Sequence, residues 1–188
     1  MAHDCVDETA RFVQPEAVLF VGWNLDKRLK QIEQIQWTNQ KLVEKRLALY
    51  DAIMPGLNDL YCFYNFIGHW KELSPPEIVA IKRKLDRLVY VNAPLLPEEF
   101  SGAYKRLMDF IFKTYGSQGE DAKINASIAS VHGDRTKHAG QWENDWKNMF
   151  VPTAQFDPRE FDARYSEVVK AFQSAIGVID QGHVNLHT

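Results

Sequence analysis

Residues 15–54 read PEAVLFVGWNLDKRLKQIEQIQWTNQKLVEKRLALYDAIM, and this stretch decides the fold. No proline interrupts it after Pro15, and Leu, Lys, Gln, Glu and Arg, all good helix formers, dominate it. A seven-residue repeat counted from Val18 places Val18, Val21, Leu25, Arg28, Ile32, Ile35, Asn39, Leu42, Arg46, Leu49 and Ile53 at its a and d sites. Eight of these eleven are apolar, so the spacing predicts one continuous amphipathic helix. Pro15-Glu16 suits a first helical turn, where a missing N–H costs nothing and an acid faces the positive end of the dipole. At 1.5 Å per residue, the span to Met54 measures about 60 Å. Pro55-Gly56 predicts a break or kink there, because proline removes a helical hydrogen bond.

The rest of the chain reads as shorter helices. Leu57–Trp70 is apolar on nearly every side and belongs in a core. Ser74-Pro75-Pro76-Glu77 starts a helix carrying Ile78, Ile81, Leu85, Leu88 and Val89 that stops before Pro94. Pro97-Glu98-Glu99 starts another, ended by Tyr115-Gly116. Asp157-Pro158-Arg159-Glu160 caps a last helix that runs to Gly182, and Trp142–Phe150 fits a short one. Residues 116–138 are small and polar, and read as a loop with a short helix over Ala122–Ile128. No stretch alternates convincingly with period two. The expected class is all-α: a bundle of five to six helices around the long N-terminal one, with residues 1–14 a flexible tail and 15–188 a single helical domain.

Composition narrows the possible functions. The hydrophobic share of 45% and charged share of 25% are those of globular chains. A chain of 188 residues can bury roughly 70% of its unfolded surface and needs no disulfide or metal staple. The net charge of −3 gives no global basic excess for nucleic acid or anionic lipid. Cys5 and Cys62 form neither a disulfide framework nor a zinc site and read as free thiols of a reducing compartment. The apolar run Ala17–Trp23 is too short to span a bilayer and lacks the basic flank of a signal peptide. Cytoplasm is the expected location.

Three groups of residues carry candidate chemistry. His132-Gly133-Asp134-Arg135-Thr136-Lys137-His138 brings two imidazoles and a carboxylate within seven residues. Such a set suits zinc or another divalent ion, or a general base with an orienting partner, with Glu120, Asp121 or Glu143 needed to complete it. A solvated loop explains the same residues. Lys82, Arg83, Lys84 and Arg87 could contact phosphate, with Tyr90 or Tyr104 stacking on bases, or could simply be a helix's solvated back. Trp142 and Trp146, four apart, either grip a partner or pack their short helix onto the bundle.

Glycine-rich phosphate loops, G-x-S-x-G elbows and C-x-x-C pairs are absent from the sequence, and no cofactor is expected. The leading expectation is a helical interaction, regulatory or scaffold protein, self-associating or part of a larger complex, without catalysis of its own. Its contact surface would be the seam of Val21, Leu25, Arg28, Ile32, Ile35, Asn39, Leu42 and Arg46, with Asn39 fixing register. A metal-dependent hydrolase using His132, Asp134 and His138 is the alternative. A nucleic-acid accessory protein using Lys82, Arg83, Lys84 and Arg87 is the second.

Overall fold

A computed structural model describes residues 15–113, 121–138 and 142–178, with side chains from Trp23 onward apart from Asn24. The chain forms two compact units, Met1–Lys41 and Leu42–Thr188. The helix α1 (Pro15–Asn65) passes through both. Among the described residues of the first unit, helix is the only secondary structure. No described helix is long and apolar enough to cross a membrane.

The second unit is all-α in character. The later part of α1 packs with α2 (Pro75–Val91), α3 (Glu98–Ile111) and α4 (Pro158–Ala175). Among the described residues, a six-residue 3₁₀ helix, Asn144–Met149, and three 3₁₀ turns of three residues each join these four α-helices. Ile53, Leu57, Leu60, Phe63 and Tyr64 of α1 are buried, and aromatic rings join the layers. Tyr61 meets Tyr165 with ring centroids 4.5 Å apart, and Phe100 meets Phe172 at 4.4 Å. Burial of rings of this size is the main stabilising term of such a core.

The local start signals hold. Ser74 donates from both its amide and its hydroxyl to the Glu77 carboxylate, at 2.7 and 2.6 Å. Those bonds hold the Glu77 carboxyl below its ordinary range. The Asp157 carboxylate accepts from the Arg159 amide at the start of α4.

Elsewhere the structure corrects the sequence reading. Pro55 does not break α1, which continues to Asn65. A Cβ placed on Gly56 would lie 3.1 Å from Leu85 Cδ2, so α2 packs closely on α1 at Gly56. Packing around that contact outweighs the lost hydrogen bond. The helix ends at Phe66, with φ of 56°, where the Ile67 amide reaches back to the Cys62 carbonyl at 3.1 Å.

Residues 122–128 are not helical. β1 (Phe112–Lys113) follows α3 directly and pairs antiparallel with β2 (Lys123–Ile124), placing buried Phe112 opposite buried Ile124. β3 (Ala129–Ser130) and β4 (Gly133–Asp134) form a hairpin about Val131-His132. α3 therefore stops before Tyr115, and α4 stops at Ala175 rather than Gly182. The short strands are each two residues long, too brief to show an alternation in sequence.

Candidate functional site

The first unit presents the arm of α1. Leu25, Leu29, Ile32 and Ile35 recur every three or four residues and lie 52–60% exposed. Helical spacing puts these four on one side of the arm. Trp23 and Trp37 fall on the other side, Trp23 with the Lys27 ammonium 5.5 Å from its ring centroid. Arg28 and Asn39 are exposed with them. The Val21 side chain lies outside the described residues.

Leu42 and Arg46, also expected on the seam, belong to the second unit. Arg46 is turned inward on its own unit. Its Nε donates to the Leu95 carbonyl at 2.7 Å, and an Nη donates to the Ala175 carbonyl at 3.0 Å. A cation there completes the carbonyl end of α4 and opposes its dipole.

The hairpin separates the residues of the His132–His138 motif. His132 sits exposed on the turn, its amide donating to the Ser130 hydroxyl at 3.1 Å. The Asp134 carboxylate accepts from the Thr136 amide and hydroxyl, and Thr136 holds it below its ordinary range, with Lys137 3.7 Å away helping. The His138 ring stands edge-on to Trp70, centroids 5.0 Å apart. Asp121 pairs with Arg83, Glu143 is exposed, and Glu120 lies outside the described residues. Among the described residues no three His, Cys, Asp or Glu side chains come together as a metal would need.

Arg135, between the two histidines, is buried with 2% of its surface exposed. Its guanidinium carbon lies 4.1 Å from the centroid of Phe63 and 3.8 Å from that of Phe66. Its terminal nitrogens donate to the carbonyls of Ser127 at 2.7 Å and Phe63 at 2.5 Å. Burial pushes the guanidinium down to about 9. Sequence reading took Arg135 as a solvated loop cation. Its partners Phe63 and Phe66 stand some seventy residues upstream, and no local pattern announces them.

The four cations of α2 do not share one open face. Lys82 is buried and its ammonium meets Asp86 at 2.5 Å, while Asp86 also accepts from the Tyr104 hydroxyl at 2.7 Å. Arg83 pairs with Asp121, and Lys84 and Arg87 are exposed. Trp142 and Trp146 meet edge-to-face at 5.5 Å, and Trp142 packs against Phe150 and the core. The chain matches no protein-family model, no curated protein and no solved structure.

Proposed function

We propose that the chain is a helical protein–protein interaction protein whose N-terminal arm docks on another helix, the equivalent arm of a second copy. The observation that carries this reading is the stripe of Leu25, Leu29, Ile32 and Ile35, each more than half exposed. Apolar surface left in water costs about 25 cal/mol per Å², and a helix partner with the same period relieves that cost. Asn39 stands seven residues beyond Ile32, at the same repeat position. Two identical arms in register set Asn39 against Asn39, where each amide both donates and accepts. Neither the hairpin histidines nor the α2 cations offer a comparable surface.

Light scattering across a concentration series tests the reading. The expected result is a mass of twice 21.7 kDa that falls to the single-chain value in Ile32→Lys/Ile35→Lys. Circular dichroism should show the variant still helical. A chain that stays at 21.7 kDa at every concentration would rule out self-association.

A further inference from the structure

The Arg135 guanidinium is a buried charge without a matching anion. Its Nε is buried and has no hydrogen-bond partner, and no described carboxylate pairs with it. Two carbonyls and two ring faces offset part of the cost of desolvating it, but they leave the positive charge in place. Buried cations are ordinarily paired, because an uncompensated one is strongly destabilising.

A cavity of about 200 Å³ lies against two of the residues that hold Arg135. Its wall includes Phe66, whose ring stacks on the guanidinium, and Ser127, whose carbonyl accepts from it. Arg135 therefore lies one layer behind the cavity wall. Tyr64 and Phe156 supply further ring surface, while Ser130 and His132 bring hydroxyl and imidazole groups from the hairpin. The Tyr64 hydroxyl is already donated to the Ile111 carbonyl, so Tyr64 contributes its ring. The nearby Asp134 carboxylate is turned to Thr136 and Lys137. Asn65, also on the wall, donates its side-chain amide to the Asp162 carboxylate at 3.1 Å. Asp162 is exposed and screened by solvent, so the buried Arg135 guanidinium is the less screened of the two charges behind the wall. The space exceeds the roughly 150 Å³ that accepts a benzene ring in an apolar cavity.

We infer that this cavity binds a small carboxylate with an aromatic or branched aliphatic body, its carboxylate toward Ser130 and His132 and its body against Tyr64, Phe66 and Phe156. The bound anion is the counter-charge that Arg135 lacks. The site is independent of the arm and of any partner that docks there.

Calorimetric titration of the full chain tests the inference with benzoate, benzyl alcohol, benzylamine and inorganic phosphate at matched ionic strength. Benzoate should bind saturably, with benzyl alcohol at least about tenfold weaker and benzylamine weaker still, as a fixed positive field dictates. Ser130→Ala and His132→Ala, both on the exposed hairpin, should each weaken benzoate about two- to tenfold, the range for one lost hydrogen bond, without moving the melting temperature. Arg135→Met should erase the preference for benzoate over benzyl alcohol. If that variant does not fold, the two hairpin variants decide. Equal affinity for benzoate and benzyl alcohol would overturn the proposal. So would phosphate binding as tightly as benzoate, unchanged affinity in both hairpin variants, or no binding up to about 10 mM, beyond which an affinity is negligible.

Discussion

Asp86 joins two helices: one oxygen lies 2.5 Å from the Lys82 ammonium on its own helix, and the other accepts from the Tyr104 hydroxyl of α3. Lys82 is packed with Phe112, its ammonium 5.6 Å from the ring centroid, and Asp86 is the carboxylate that pairs with it there. Removing one member of a buried pair costs about 3–5 kcal/mol. A quarter of the Asp86 side chain is exposed, which puts Asp86→Ala near the lower end, at about 3 kcal/mol. Lys82→Met added to Asp86→Ala should recover part of the loss, because the orphaned ammonium is gone. Urea unfolding measures both. A cost below about 1 kcal/mol for Asp86→Ala would place the pair among surface ion pairs that contribute little.

Tyr104 and Tyr64 give the fold an alkaline limit. Burial is the main cause that raises both hydroxyls above their ordinary range, with the Asp86 carboxylate adding to the shift of Tyr104. A folded value above the unfolded one means the stabilising contribution is complete below the unfolded pKa. It is lost as pH climbs from about 10, where unfolded tyrosine ionises. The melting temperature should therefore fall steeply above pH about 10, and less steeply in Tyr104→Phe. Arg135 works in the other direction, since its folded value near 9 lies below the unfolded one and its burial penalty shrinks as pH rises. Comparing wild type with Tyr104→Phe isolates the tyrosine. Identical alkaline slopes in the two proteins would refute its role.

Two glycines should respond oppositely to alanine. At Gly133 the new Cβ would stand 2.7 Å from two carbons of the Trp70 ring, so the hairpin or the indole must move. Gly133→Ala should cost about 1–3 kcal/mol, the range for overpacking. At Gly102, inside α3, the new Cβ would meet only an Nη of Arg106 at 3.3 Å, the far end of a flexible side chain. Gly102→Ala should stabilise by about 0.5–1 kcal/mol through helix propensity. Thermal unfolding of the pair, with near-ultraviolet circular dichroism to report the Trp70 environment, reads both signs.

Arg46→Leu removes both donors to the carbonyls of Leu95 and Ala175. Hydrogen bonds from a charged donor contribute about 1.5–3 kcal/mol, and a loss in that range is expected. Hydrogen exchange should quicken in the last turn of α4 before it changes in α2. Arg46→Lys should restore only part, since a single ammonium cannot match a planar fork reaching two acceptors. Full rescue by lysine would show that charge alone is what matters at this position.

Where a structural signal is local, the sequence discloses it. Ser74 and Glu77 are three residues apart, and Asp157 and Arg159 two, so the starts of α2 and α4 are written in adjacent letters. The stripe from Leu25 to Ile35 is equally local, a matter of helical period. Pro55 misleads because the contact that carries α1 through it lies on α2, at Leu85. Arg135 misleads for the same reason, since its burial depends on Phe63 and Phe66, and Gly133 on Trp70. Lys82 looks like one of four solvated cations until Asp86, Tyr104 and Phe112 are placed around it.

The ring contacts of α4 also set a schedule for synthesis. Tyr61 is covered by Phe161 and Tyr165, and Tyr50 by Phe172. The chain is made from its N-terminus, so the aromatic side of α1 leaves the ribosome about a hundred residues ahead of its cover, roughly ten seconds at about ten residues per second. During that interval Tyr50 and Tyr61 lack the rings that cover them in the fold. A chain stalled before Pro158 should therefore be held by chaperones or precipitate, and one released after Ala175 should not.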